Sequence, residues 1–149
     1  MLVHLNNGGC SIVFNLVGDT IEIAHWGAPL SKVTDESLAI TMRPIAHGDL
    51  DVNPRNLILR EHSRGWRGRP ALRGHRSGKS VSNHFSIVKH EATKDSFTAR
   101  FADKLSGLEL SIDYQLDQHG ILTVQSTIKN VAEGDYQLEQ LLNWLPLPT

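Results

Sequence analysis

The sequence contains a single cysteine, Cys10, among its 149 residues and therefore cannot form an internal disulfide. A lone cysteine is typical of a reducing compartment, so we expect a cytoplasmic protein. The N-terminus has no basic stretch ahead of an apolar core, and no apolar run approaches the length of a bilayer span, so we expect neither a signal peptide nor a membrane partner. The net charge of −1 and the 40% apolar content exclude a disordered chain.

The sequence also lacks the short motifs of common catalytic centres. It has no GxSxG elbow and no HExxH pair, and its eight histidines show no ligand spacing. Residues 74–80, GHRSGKS, have three residues between the glycines, whereas a P-loop needs four. The acid pair Asp49/Asp51 lies in an irregular segment. In the pair Asp113/Asp117, the first acid lies in a predicted strand and the second in the turn that follows. Both settings favour solvated carboxylates over a catalytic pair. We therefore predict no catalytic residue, metal or cofactor here.

Alternation of apolar and polar residues is the main pattern that is present. It is strict over residues 108–116, and shorter strand-like runs, mostly separated by Gly, Asp or Asn turns, cover residues 2–5, 11–16, 21–24, 85–88, 97–101, 122–128 and 136–142. Thr34, followed by Asp35 and Glu36, predicts the N-cap of one short helix within a long connection. The sequence predicts an all-β antiparallel sandwich over residues 1–149, with one or two short helical turns.

One irregular segment interrupts this pattern, and we call residues 57–79, LILREHSRGWRGRPALRGHRSGK, the Arg-Trp segment. Its first four residues predict a short strand, and a loop follows. Seven of the chain's 15 lysines and arginines lie between Arg60 and Lys79, around the single Trp66. Irregular segments on a rigid scaffold often carry function, so this is the candidate site.

Three interpretations of the Arg-Trp segment follow from its residue types. Its arginines and Trp66 could bind a nucleic-acid strand through phosphate contacts and stacking. They could equally hold a sugar, which offers hydroxyl groups and an apolar ring face, with His62 nearby. The arginines could also pair with the chain's 16 acids or with a neighbouring subunit. The net charge of −1 argues against nucleic acid.

Several stretches in combination resemble the N-terminal domain of α-galactosidases of glycoside hydrolase family 36. They are IEIAHWGAPL at residues 21–30, LREHSRGWRGRPALRG at 59–74, LELSIDYQLDQHGILTVQSTIKN at 108–130 and YQLEQLLNWLPLP at 136–148. The resemblance covers nearly the whole chain. The stretch SRGWRG at residues 63–68 is similar to the sequence of an actinobacterial-type branch of the family.

The resemblance implies a β-supersandwich that packs against a (β/α)8 barrel, and retaining hydrolysis of terminal α-galactosides such as melibiose and raffinose. Its two catalytic aspartates belong to the barrel, and the Lys-Trp-Asp signature of the nucleophile is absent from this sequence. We therefore expect a non-catalytic domain, inactive alone, of an α-galactosidase. The apolar, extended end LPLPT at residues 145–149 favours a fragment whose barrel follows.

The resemblance also implies partners. Family members are commonly oligomers, with a tetramer as the usual pattern, and their N-terminal domains approach a neighbour's active site. The expected partners are the barrel, further subunits and the α-galactoside. We predict that residues 64–76 make this approach and that Trp66, Arg67 and Arg64 bind substrate or form the rim, because Arg and Trp are enriched at interface hot spots. The alternative is a free-standing β-sandwich that binds carbohydrate or a protein partner.

Overall fold

Antiparallel strands make up most of the computed structural model, which describes residues 1–41 and 56–146. The nine strands in those ranges are β1 (Leu2–Asn7), β2 (Cys10–Val17), β3 (Thr20–Gly27), β4 (Leu72–His75), β5 (Ser86–Ala92), β6 (Ser96–Asp103), β7 (Leu108–Leu116), β8 (Leu122–Asn130) and β9 (Gln137–Leu141). The helical elements there are α1 (Asp35–Thr41) and a 3-10 turn (His62–Arg64). The predicted all-β class with short helical turns is confirmed.

The strands form a three-stranded sheet β1-β2-β3, a four-stranded sheet β5-β6-β7-β8 and a two-stranded pair β4-β9. The two larger sheets pack face to face, and their aromatic rings meet in the core. The Phe14 ring of β2 lies 4.6 Å from the Phe97 ring of β6 and 4.8 Å from the Tyr114 ring of β7, measured between centroids. All three side chains are buried. This packing is the predicted sandwich.

The alternation in the sequence matches the two faces of the sheet. In β7 the apolar positions face the core, whereas Glu109 and Gln115 face outward and are exposed. The buried positions of this strand are Leu108, Leu110, Ile112, Tyr114 and Leu116. Because side chains alternate between faces, one strand contributes five core residues and keeps a polar outer surface.

Two turns at one end of the sandwich are in direct backbone contact. Gly8, in the turn between β1 and β2, has φ +56°, and a Cβ atom there would lie 2.1 Å from the amide nitrogen of Gly120. Gly120 belongs to the turn between β7 and β8. The Asn7 side chain adds a hydrogen bond from Nδ2 to the Leu116 carbonyl at 3.1 Å. Only glycine at position 8 allows the two sheets to approach this closely.

The helix prediction is confirmed at its start. Thr34 accepts a hydrogen bond from the Ser37 amide on its Oγ1 at 3.2 Å, and its carbonyl accepts the Leu38 amide at 3.1 Å. This is an N-cap arrangement.

The pair Asp49/Asp51 lies outside the described residues. No helix within 1–41 or 56–146 is long and apolar enough to cross a membrane.

The predicted strand at residues 57–60 is wrong in extent. Leu57 forms one isolated bridge with Glu22, and Ile58 donates its amide to the Ile21 carbonyl at 2.9 Å, after which the backbone turns away. The regular strand of this region is instead β4, inside the Arg-Trp segment, where Leu72 pairs with Leu141 of β9. The long loop predicted there is thus divided into a shorter loop, a strand and a tight turn.

Candidate functional site

A buried carboxylate, Glu61, holds the base of the Arg-Trp segment. Its Oε2 accepts a hydrogen bond from Arg64 Nε at 2.8 Å, and its Oε1 accepts one from the Phe85 amide at 2.8 Å. Arg64 Nη2 donates to the Phe85 carbonyl at 2.6 Å. The Glu61 carbonyl also accepts the Trp66 amide at 3.1 Å. One ion pair therefore ties the loop to the residue that precedes β5.

The environment of Glu61 combines burial with a cationic partner. Glu61 is 5% exposed, and this burial raises the pKa of its carboxyl above the ordinary value, against the opposing effects of the Phe85 amide and Arg64. Burial costs an ionised carboxylate its hydration. Arg64 therefore offsets a desolvation penalty, and its side chain faces the protein interior and is 17% exposed.

A second buried carboxylate, Asp103, organises the chain between the Arg-Trp segment and β5. Its Oδ2 accepts hydrogen bonds from Asn83 Nδ2 at 3.3 Å, the His84 amide at 3.2 Å and Ser106 Oγ at 2.8 Å. Its Oδ1 accepts the amides of Leu105 at 3.0 Å and Ser106 at 3.3 Å. Burial alone would raise the pKa of Asp103, but these donors together lower it. The carboxylate is satisfied on both oxygens.

Replacing Asp103 with Asn should lower the free energy of unfolding by about 2 kcal/mol at pH 7. The NH2 group of the new side chain would replace one acceptor oxygen and would face the N–H and O–H donors that now bond to that oxygen. An acid whose pKa is depressed by folding stabilises the protein above its unfolded pKa, near 3.8, and that contribution is lost as the pH falls through the folded pKa. Chemical denaturation at pH 7 and at pH 3 should therefore show a smaller mutant deficit at pH 3. An equal deficit at both pH values would contradict the role assigned to the charge.

Trp66 is fixed in the loop by contacts on several sides. Its Nε1 donates to the Arg69 carbonyl at 2.9 Å, and a Cβ at Gly68 would lie 3.0 Å from the indole ring. The guanidinium carbon of Arg60 lies 4.1 Å from the centroid of the Trp66 ring and 3.4 Å from that of Trp144. We call these three residues the Trp-Arg-Trp stack. Both distances are within the range of cation–π interactions.

Arg60 makes no hydrogen bond or ion pair through its side chain to any residue in the described ranges. Its Nε is buried and has no partner there. Burial lowers the pKa of Arg60, although an arginine stays charged at any physiological pH. The two indole rings are therefore the groups that hold this guanidinium in place.

Two further arginines of the segment bind the neighbouring sheets. Arg73 pairs with Glu139 of β9 at 3.2 Å, on the surface. Arg76 donates only to uncharged oxygens, namely the carbonyls of Ser106, Glu133 and Gly134 and Oδ1 of Asn130. These bonds join the end of β4 to the turns after β6 and after β8. The expected pairing with acids holds for Arg64 and Arg73, whereas Arg76 acts through neutral acceptors.

Arg67 and Arg69 are the arginines of this segment that reach solvent with no side-chain partner among the described residues. They flank Gly68 beside the fixed Trp66 ring, and His62 closes the loop through a 2.9 Å contact between its Nε2 and the Gly68 carbonyl. The surface thus combines an aromatic ring held in place with two uncompensated cations. Such a surface can stack on a sugar ring and donate hydrogen bonds to hydroxyl groups.

The three predicted site residues do not all lie on the same side of the loop. Trp66 and Arg67 lie together on the outer part of the loop, whereas the Arg64 side chain turns inward to Glu61. Arg60 and Trp144 were not singled out from the sequence. Trp144 lies beyond β9, far along the chain, and no spacing pattern connects it to Arg60.

Other candidate chemistry is not assembled in the described residues. No group of three or more His, Cys, Asp or Glu side chains within 1–41 and 56–146 could hold a metal ion. Asp113 accepts from Thr98 Oγ1 at 2.7 Å, and Asp117 accepts the amides of His119 and Ile121 in a turn. Both acids therefore have structural partners.

Comparison with known proteins shows the family. Residues 19–149 match the model of the glycosyl hydrolase family 36 N-terminal domain. The chain belongs to this family. The family 36 domain is 32% identical over 126 residues to the alpha-galactosidase of Escherichia coli, an alignment that covers 85% of this chain and 18% of that protein. The chain therefore spans about a fifth of the length of the relative it matches.

Solved structures agree on the fold of the family 36 domain. The GH36 alpha-galactosidase AgaA from Geobacillus stearothermophilus matches with a TM-score of 0.75 at 18% identity, over 96% of this chain and 24% of that chain. A double variant of AgaA in complex with raffinose matches with a TM-score of 0.74 at 16% identity, over the same shares. The family resemblance and the β-sandwich predicted from the sequence are confirmed.

Proposed function

We propose that this domain belongs to an α-galactosidase that hydrolyses terminal α-galactosides, and that its Arg-Trp segment forms part of an active-site rim. The observation that carries the proposal is the fixed Trp66 ring beside the unpaired Arg67 and Arg69. The named relative and the matched structures support the activity of the parent enzyme. The domain's partners are then its own catalytic barrel and further subunits, arranged as a homo-oligomer in the cytoplasm.

The geometry suits a contribution to binding rather than to bond cleavage. An indole already held by a hydrogen bond and a cation loses little conformational entropy when its exposed part contacts a sugar or a facing subunit. Arg67 can donate to hydroxyl or carbonyl oxygens from the same surface. Arg64 supports this loop through Glu61 and supplies no free donor face. The aspartates that attack and protonate the substrate belong to the barrel in this proposal.

Replacing Trp66 and Arg67 with Ala in the full-length enzyme should raise the KM for raffinose roughly tenfold, or shift the enzyme toward smaller oligomers, since removing an interface anchor typically costs more than about 1 kcal/mol. Steady-state kinetics and light scattering on the same preparation measure both effects. Arg100→Ala is the matched control, because Arg100 is an exposed arginine of β6 on another surface.

Unchanged KM and unchanged oligomer size in the Trp66/Arg67 variant would remove the rim assignment. A free-standing binding module is the second candidate, favoured by the same unpaired arginines. It predicts that the 149-residue chain alone binds raffinose in calorimetry, with little dependence on salt. Strongly salt-dependent binding to a single-stranded oligonucleotide would instead indicate phosphate contacts.

A further inference from the structure

The Trp-Arg-Trp stack joins three separate parts of the chain. Arg60 precedes the 3-10 turn, Trp66 follows it, and Trp144 lies beyond β9. The guanidinium of Arg60 is within 4.1 Å of one indole centroid and within 3.4 Å of the other. A planar cation between two aromatic rings fixes the distance and the tilt of both rings at once.

No other group competes for the Arg60 side chain in the part of the chain that the structure describes. The adjacent Glu61 uses both carboxylate oxygens on Arg64 and the Phe85 amide. The buried Nε of Arg60 faces no acceptor. Desolvating a donor without an acceptor is unfavourable, so the ring contacts must offset that cost.

Trp144 belongs to a segment that is hydrogen-bonded to the four-stranded sheet. The neighbouring residue Asn143 accepts a hydrogen bond from Ser126 of β8 through its Oδ1. Nδ2 of Asn143 donates to the Val124 carbonyl at 3.5 Å. The residues after β9 are thereby attached to the four-stranded sheet. Through Arg60, the same attachment extends to Trp66 in the loop.

We propose that Arg60 is a positioning residue that holds Trp66 at the rim by bridging it to Trp144. The proposal rests on the assignment of Trp66 to the rim made above. Arg60 itself contacts no substrate and acts through the indole. Lysine cannot replace it fully, because a compact ammonium group does not present two flat faces to two rings.

In the full-length enzyme, Arg60→Met should raise the KM for raffinose about fivefold and change kcat by less than about twofold, the pattern expected for lost uniform binding. Arg60→Lys should give an intermediate KM. A double-mutant cycle with Trp66→Ala gives the sharper result. Since Arg60 acts through Trp66, the Arg60→Met substitution should add nothing to the KM of the Trp66→Ala variant.

Tryptophan fluorescence tests the positioning without relying on activity. In the 149-residue chain, Arg60→Met should make Trp66 and Trp144 more accessible to acrylamide quenching. The same substitution in a W66F/W144F background, which retains only Trp26, should leave quenching unchanged. Arg100→Met controls for loss of a surface cation.

The outcomes separate the two proposals. Additive KM effects in the double-mutant cycle, or unchanged quenching in Arg60→Met, would overturn the positioning role. If Trp66→Ala leaves KM and assembly unchanged while Arg60→Met still increases quenching, the rim assignment fails and the stack stands as a structural bridge. Increased quenching together with a non-additive KM effect supports both.

Discussion

Replacing Arg64 with Met is expected to lower the free energy of unfolding of the chain by about 3 kcal/mol at neutral pH, because removing one member of a buried ion pair leaves the other charge uncompensated. Glu61 would keep only its bond from the Phe85 amide. The Phe85 carbonyl would also lose the Arg64 donor. Urea denaturation with m-values compared between variants measures the change.

The pH dependence of this loss identifies its cause. Burial already raises the pKa of Glu61, and removing the Arg64 cation raises it further. An acid whose pKa is raised by folding binds its proton more tightly in the folded state, so the protein gains stability as the pH falls through the folded pKa toward the unfolded value near 4.5. The deficit of the Arg64→Met variant should therefore shrink between pH 7 and pH 5.

Matched variants complete this test. Arg67→Met removes an exposed, unpaired arginine of the same loop and should change stability by less than about 0.5 kcal/mol. Glu61→Gln combined with Arg64→Met should recover part of the loss, since no buried charge remains. A loss in Arg64→Met as small as that in Arg67→Met would contradict the ion pair's role at the base of the loop.

Replacing Gly8 with Ala is expected to destabilise the chain by about 3 kcal/mol or more, since the backbone strain alone costs of order 1–3 kcal/mol and a steric clash adds to it. The new methyl group would lie 2.1 Å from the Gly120 nitrogen and 2.7 Å from the His119 carbonyl carbon. Both are backbone atoms, so no side chain can rotate away. The contact between the two turns would have to open.

Gly9→Ala separates the clash from the backbone strain. Gly9 has φ +73° in the same turn, but a Cβ there meets nothing within 4 Å. This variant should lose only about 1 kcal/mol, the cost of a left-handed conformation for a residue other than glycine. Thermal unfolding of both variants measures the difference, and equal melting temperatures would show that the turns do not constrain each other.

Most of the fold was predictable because burial in a two-layer sheet is a local property of the sequence. The strict alternation in β7 shows which side chains face the core, and Thr34 with the acids after it marks the start of α1. Strand β4 was missed for the opposite reason. Its residues 73–75, Arg-Gly-His, have no apolar alternation, and the strand depends on distant pairing with β9, where Gly74 packs against the Tyr136 ring.

The candidate site was predictable in place but not in detail. Local composition identified Trp66 and the arginines around it. It could not separate Arg64, which turns inward to a buried acid, from Arg67, which has no partner in the described ranges, because the two have the same residue type in a similar setting. The role of Arg60 was not predictable, because six strands, β4 to β9, separate it from Trp144 in the sequence and the two residues meet only in space.

The bonding of Arg76 has a consequence for how the domain responds to its medium. Its four acceptors are main-chain carbonyls and an amide oxygen, none of which titrates. Acid that protonates Asp103 therefore weakens the hydrogen bonds that hold Asn83 and His84 before β5, but it leaves the bonds between Arg76 and the turns after β6 and β8 intact. Added salt, which screens charge pairs, acts on the exposed Arg73–Glu139 pair but has little to weaken at Arg76. The bonds that Arg76 makes at the C-terminal end of the Arg-Trp segment should thus resist both acid and salt, unlike the bonds of Asp103 and the Arg73–Glu139 pair.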